Sequence, residues 1–178
     1  MRTLGPGSIS SFLKVILDVV YFALWIAVAV LSALAVLAIL LSFNSDFLKG
    51  VIHITGDDGK EFAANGATMA AGLLAAGLYS GGILVIVGRL RKIFVTLTAG
   101  DPFHPDNVRR LRIIGLVLAG LEAGRYVFWM ISAVLLPGVS RAGHGFNLTT
   151  WFSVLVVFVL AEVFREGARL RSEAELTI

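Results

Sequence analysis

Three ionisable residues, Glu122, Arg125 and Glu162, lie inside long apolar stretches of this 178-residue chain. A charge at the centre of a bilayer costs about 3 kcal/mol on insertion scales, and such charges often belong to proton, ion or ligand pathways. They can also form a structural bridge that sets helix register. We favour the bridge, because no further polar residues in the sequence line a path to either side of these stretches.

Two pairings are open for Arg125. Glu122 precedes it by three residues, which places both side chains on one helix face. Arg125 and Glu162 also lie at similar depths, about 18 and 16 Å, when counted from the outer flanks of their stretches. Counted from Arg165 instead, Glu162 lies at the inner interface. We favour the count from the outer anchor Trp151, because a span ending at Arg165 would have only about 17 residues.

The other residue types that could do chemistry are scattered. The sequence contains no cysteine, and His53, His104 and His144 fall in different loops. No serine has histidine and aspartate partners in a recognisable motif, and neither a phosphate-binding glycine loop nor a DNA-reading motif is present. We therefore expect no enzyme, no catalytic residues, no metal, no cofactor and no direct contact with nucleic acid.

The apolar residues determine the fold class. They make up 57% of the chain and only 15% is charged, whereas a soluble domain has about a quarter charged residues. This composition excludes soluble, disordered and disulfide-rich classes. We predict one all-α, polytopic membrane domain over residues 1–178, because four blocks are long enough to cross a bilayer. The predicted spans are about 19–43, 66–88, 113–136 and 148–168.

A polar segment separates the first two blocks. Its alternating residues 51–55, followed by a Gly-Asp-Asp-Gly sequence, predict a short hairpin. Asp57, Asp58 and Glu61 raise the possibility of a calcium site. The spacing of an EF-hand is absent, which favours a solvated turn.

The basic residues predict the orientation. Four spans place both termini on one side of the membrane, and eleven Lys and Arg residues fall on that side against three on the other. Since cytoplasmic loops carry the excess of Lys and Arg, we predict that both termini are cytoplasmic. The eleven are Arg2, Lys14, Arg89, Arg91, Lys92, Arg109, Arg110, Arg112, Arg165, Arg169 and Arg171.

The segment between the second and third blocks predicts two helix ends joined by a turn. Gly100 can supply a left-handed cap and Pro102 a stop, so the second helix continues to about residue 99. Pro105 suits the first turn of the third helix, with Asp106 and Asn107 as acceptors for its free amides. We expect the two ends to form a helical stalk in the cytoplasm.

Within this stalk we define a candidate cytoplasmic motif. It combines the turn with the charged start of the third helix, and we expect Phe103 to fold back onto the stalk. Its residues are Asp101, Pro102, Phe103, Asn107, Arg109 and Arg110.

Small residues recur at four-residue spacing in the second block, notably Gly77 and Gly81. In lipid this spacing lets two helix backbones approach closely. The approach can occur between two copies of the chain, as in a homo-oligomer, or within one chain. We favour packing within one chain.

Two segments resemble the signatures of a bacterial membrane family. The first has Leu-Arg-Lys-Ile at 90–93, Gly-Asp-Pro-Phe at 100–103, Asn107, Arg-Leu-Arg at 110–112 and Ile-Gly at 114–115. The second has Ala-Glu-Val-Phe-Arg-Glu-Gly at 161–167, Leu170, Glu173 and Glu-Leu-Thr-Ile at 175–178. They are similar to DUF2975, a domain of unknown function. The resemblance implies four membrane helices with both termini in the cytosol, and a gene that often neighbours a small helix-turn-helix regulator. It implies no catalytic residues.

These observations lead to two functional expectations. The first is a non-enzymatic protein of the bacterial inner membrane that senses or regulates, and that holds a cytosolic regulator on residues 101–112 and the tail after Glu162. The alternative is a small transporter or a lipid- or ligand-binding membrane protein that uses Glu122, Arg125 and Glu162. A further reading is that the basic residues only anchor the helices to anionic membrane lipids.

Overall fold

The computed structural model describes residues 9–42, 53–55, 61–63, 66–135 and 146–175. Four long helices account for nearly all of these residues, and a two-stranded ribbon lies between the first and second helices. In chain order the elements are α1 (Ile9–Ser42), β1 (His53–Thr55), β2 (Glu61–Ala63), α2 (Gly66–Thr98), α3 (Pro105–Leu135) and α4 (Leu148–Glu175).

Each helix contains a segment that is long and apolar enough to cross a membrane. The shortest of the four has 27 residues, which at 1.5 Å per residue extends about 40 Å, beyond the roughly 30 Å of a hydrocarbon core. The four predicted helices are therefore confirmed, and they are longer than the predicted spans. The segments are Phe12–Leu41, Met69–Thr98, Pro105–Ser132 and Leu148–Ala174.

The predicted hairpin is present as a short antiparallel ribbon. His53 pairs with Ala63, Ile54 with Phe62 and Thr55 with Glu61. The all-α prediction is thus correct for the four helices, and this ribbon is an addition to it. The suggested calcium ligands Asp57 and Asp58 lie outside the described residues, as does His144.

The chain divides into two compact units. The first contains α1 up to Leu24, the chain from Gly82 to Leu121, and α4. The second contains α1 from Trp25, the ribbon, α2 up to Gly81 and α3 from Glu122.

The buried core of the first unit lies where α2, α3 and α4 meet. Ile93, Leu111, Ile114 and Ala161 are its most buried members. Elsewhere many large apolar side chains are exposed, such as Leu78 at 76%. A water-exposed surface this apolar would aggregate, whereas a lipid-facing one is in its preferred solvent.

Candidate functional site

The end of α2 is closed by a left-handed glycine. Gly100 has φ of 83°. Its N–H donates to the carbonyl of Leu97 at 3.1 Å, and the N–H of Asp101 donates to the carbonyl of Thr96 at 3.0 Å. These two bonds are the Schellman pattern, which satisfies the last carbonyls of a helix and favours glycine at the left-handed position. The predicted role of Gly100 is confirmed.

The start of α3 is capped by His104, which was not among the residues predicted to cap it. Pro105 is the first helical residue, as predicted, but His104 supplies the acceptors. Its Nδ1 accepts the N–H of Asp106 at 3.2 Å, and its carbonyl accepts the N–H of Asn107 at 2.9 Å. The predicted capping role of the Asp106 and Asn107 side chains is therefore wrong. The Asp106 carboxylate instead accepts from Arg110 at 3.5 Å.

Asn107 joins the two helices and the turn. Its side chain is fully buried. The Nδ2 group donates to the Thr96 hydroxyl at 2.8 Å and to the Pro102 carbonyl at 3.0 Å. Its Oδ1 accepts from Arg110 at 2.8 Å, and Arg110 also donates to the Lys92 carbonyl at 3.0 Å. A buried amide must be bonded in this way, and here the bonds fix the end of α2 against the start of α3.

The turn also contacts α4. The ring centroids of Phe103 and Phe164 are 5.7 Å apart. A Cβ added to Gly167 would lie 2.5 Å from the Phe103 ring, so a larger residue here would have to displace the ring. Asp101 forms an ion pair with Arg171. We predicted that Phe103 would fold back onto the stalk; its ring packs instead against α4.

Glu162 belongs to the same end of the helices. It pairs with Arg112 of α3 at 3.7 Å and with Arg165 one turn further along α4. α4 is a continuous helix to Glu175, and Glu162 lies near the middle of its apolar segment Leu148–Ala174. The ion pairs do not fix the depth of Glu162 in a membrane, so both depth counts stay predictions.

Arg125 pairs with Glu122, within its own helix. Arg125 contacts both Glu122 oxygens, at 2.6 and 3.2 Å, and its guanidinium lies 5.0 Å from the centroid of the Tyr126 ring. Glu122 is 6% exposed. The alternative bridge from Arg125 to Glu162 is therefore wrong. This bidentate pair engages both carboxylate oxygens of the nearly buried Glu122.

The packing role predicted for Gly77 and Gly81 is only partly correct. A Cβ on Gly77 would reach Leu31 of α1 at an ordinary 4.0 Å, and among the described residues nothing lies within 4 Å of one on Gly81. The close approach is at Gly82, where an added Cβ would lie 2.6 Å from Leu121 of α3. The adjacent glycine pair at 81–82 was the signal that could have identified it.

The remaining motif residue, Arg109, is exposed on α3. Across the described ranges no carboxylate lies within 4 Å of its side chain. The same part of the chain holds no group of three or more His, Cys, Asp or Glu residues that could bind a metal ion.

Four apolar helices of this length define a multi-pass membrane protein. Residues 57–178 match the family model described as "Protein of unknown function (DUF2975)". The chain therefore belongs to the DUF2975 family, as its two signature segments predicted. The match includes α2, α3 and α4, and α1 lies before it. No curated protein and no solved structure matches the chain.

Proposed function

We propose that this protein is a non-enzymatic component of the bacterial cytoplasmic membrane, with both termini in the cytosol. The support is the distribution of basic residues: eleven of them flank one end of the four helices, and a Lys and Arg excess is typical of cytoplasmic loops. In this orientation the α2–α3 turn and the end of α4 are cytosolic.

Its proposed task is to hold a cytosolic regulatory protein on the turn–tail surface, which we define as residues 101–112 and 162–175. The observation that carries the proposal is the dense set of bonds beneath this surface. Buried Asn107, the Phe103–Phe164 contact and the Asp101–Arg171 ion pair together fix the turn against α4. A surface that is already ordered loses less conformational entropy when a partner binds.

The turn–tail surface carries six arginines and six carboxylates, and we propose that its exposed arginines, Arg109 above all, contact acidic groups of the partner. Arg109, Arg165 and Arg169 all present exposed guanidinium groups. Arg165 and Arg169 also have helical carboxylate neighbours, Glu162 and Glu166, but exposed pairs of this kind contribute little and rearrange readily. Complementary charge at such a surface speeds association and selects the partner. The gene neighbourhood implied by the family resemblance suggests a helix-turn-helix regulator as that partner.

The alternative of a transporter or ligand-binding site has weaker support. Glu122 is engaged by Arg125 through both oxygens, and Glu162 pairs with arginines at the predicted cytosolic end. The three charges of the hypothetical pathway therefore serve two separate pairs. Both arrangements are better suited to fixing the register of neighbouring helices than to carrying a substrate or proton.

The test is site-specific photocrosslinking in living cells. A crosslinking residue at Leu170, which is 55% exposed on the tail, is compared with one at Leu78 on the apolar face of α2. We expect Leu170 to capture one defined cytosolic protein and Leu78 to capture none. Reversing charge with Arg165→Glu and Arg169→Glu should abolish that adduct while membrane levels stay constant. An adduct that survives charge reversal, or no cytosolic adduct at Leu170, contradicts the proposal.

A further inference from the structure

A groove of about 450 Å³ lies between α1 and α2 in the first unit. Its size falls within the range of small-molecule sites in proteins. Lys14 of α1 and Arg89 and Lys92 of α2 line it, together with apolar side chains of α2. The α1 wall precedes the residues that match the family model.

The groove changes character along α2. Leu84 and Val85 form its larger apolar part, Arg89 and Lys92 follow one and two turns later, and Val95 lines the groove beyond them. From Leu84 to Lys92 the helix rises about 12 Å. Leu84 and Val85 lie nearer than Arg89 and Lys92 to the centre of the candidate membrane span Met69–Thr98 of α2. In a bilayer the apolar part of the groove would therefore lie at the depth of the acyl chains, and its cationic part would lie nearer the headgroups of one leaflet.

The single acidic side chain lining the groove is already neutralised. Asp18 accepts from Nε of Arg91 at 2.5 Å, and the Arg91 guanidinium lies 4.4 Å from the centroid of the Tyr21 ring. By contrast, no carboxylate of the described residues lies within 4 Å of Lys14, Arg89 or Lys92. Three cations therefore face the groove without an acidic partner from the part of the chain the structure describes.

Glycine keeps the middle of the groove open. Gly88 lies between the apolar and the cationic parts, and a Cβ there would come 3.3 Å from the Tyr21 ring. A second depression of about 180 Å³ is also lined by Arg89 and Lys92 and adds Arg109, Arg110 and one carboxylate, Asp106, so that its lining is net positive. The two cations shared by both depressions therefore sit in a strongly positive field.

From these features we infer that the groove binds one anionic phospholipid. Lys14, Arg89 and Lys92 contact the headgroup phosphate, and an acyl chain lies along Leu84 and Val85. Charge complementarity and the amphipathic direction of the groove both require an occupant with an anionic head and an apolar tail. A zwitterionic lipid lacks the net charge, and a free phosphate leaves the apolar part unfilled. The inference depends on the membrane placement of α1 and α2 and is independent of a cytosolic partner.

The test uses the full chain, purified in mild detergent, and native mass spectrometry of lipid binding. Phosphatidylglycerol and phosphatidylcholine with identical acyl chains are titrated separately. We expect the anionic lipid to bind at least about tenfold more tightly. Arg89→Gln with Lys92→Gln should weaken it about 30-fold, given about 1 kcal/mol for each basic residue near the lipid headgroups.

Two variants separate a defined site from diffuse attraction. Arg165→Gln with Arg169→Gln removes the same charge from α4, outside the groove, and should change phosphatidylglycerol binding less than threefold. Val85→Trp keeps every charge but fills the apolar part, and should weaken binding at least tenfold. The proposal is overturned if the two charge variants lose phosphatidylglycerol affinity equally, or if Val85→Trp binds this lipid as tightly as the wild type.

The last measurement is a competition with soluble glycerol phosphate, which carries the headgroup chemistry without acyl chains. We expect it not to displace the lipid at equal concentration. Displacement would show that the site recognises a free phosphate, and would overturn the assignment to a lipid. Photocrosslinking at Leu170 is repeated in the double variant Arg89→Gln with Lys92→Gln, and we expect it to be unchanged. The lipid proposal and the partner proposal can then fail independently of each other.

Discussion

Phe103 of the α2–α3 turn packs over Gly167 of α4 so closely that a Cβ at position 167 would lie 2.5 Å from the aromatic ring. The ring also packs on Phe164, one helical turn before Gly167. Since the Cβ would meet ring atoms of Phe103, any residue larger than glycine at position 167 forces the ring to shift. The turn and the tail thus act as one surface.

Gly167→Ala should therefore lower stability, although alanine is the better helix former. The overpacked ring is expected to cost about 1–3 kcal/mol, more than the helix propensity that is gained. Thermal unfolding of the purified protein in one detergent measures the effect. Gly120→Ala is the matched control, because among the described residues nothing lies within 4 Å of a Cβ there; it should keep or raise the midpoint. Equal midpoints for the two variants would contradict the packing argument.

Asn107→Ala should destabilise the junction of α2 and α3. It removes the bonds of the buried amide to the Thr96 hydroxyl, the Pro102 carbonyl and Arg110, at a cost of about 1–3 kcal/mol. Asp106→Ala removes only exposed contacts, with Arg110 at 3.5 Å and with His104 at 3.9 Å, and exposed pairs are worth about 0–1 kcal/mol. The same unfolding assay compares them. A larger loss for Asp106→Ala would show that the buried network is not what holds the turn.

The α2–α3 turn shows which features of the structure could be predicted from the sequence and which could not. Gly100 and Pro105 were predictable because cap and first-turn chemistry are local properties of the backbone. The caps by His104 and the burial of Asn107 were not, because which acceptor reaches an amide depends on how two helices meet. The docking of Phe103 on α4 joins residues more than sixty positions apart, and hydrophobic periodicity carries no information about such pairs.

The charges inside the apolar stretches illustrate the same limit. Sequence spacing placed Glu122 and Arg125 on one helix face, and the structure has that pair. Depth counting also offered Glu162 as a partner for Arg125, but similar depth on two helices does not determine which side chains meet, and Glu162 pairs with Arg112 and Arg165. The four spans themselves were predictable, because length and apolarity alone decide whether a helix can cross a bilayer.

A double-mutant cycle should separate a structural from a transport role for these charges. Glu122→Gln strands Arg125 and should destabilise the protein strongly, by up to about 3–5 kcal/mol. Adding Arg125→Gln should restore much of that loss, because two amides can bond to each other. Glu162→Gln, at an exposed site, should cost no more than about 1 kcal/mol. Additive effects of Glu122→Gln and Arg125→Gln would contradict a coupled structural pair.

The most direct test of the account is the side of the membrane on which the α2–α3 turn lies. Because the chain has no cysteine, a single cysteine at Ala99 or at Phe146 can be labelled without background. We predict that a membrane-impermeant maleimide labels Phe146→Cys in intact cells, and labels Ala99→Cys only after the membrane is permeabilised. Labelling of Ala99→Cys in intact cells would place the basic turn outside and contradict the four-crossing, termini-inside arrangement on which the partner proposal rests.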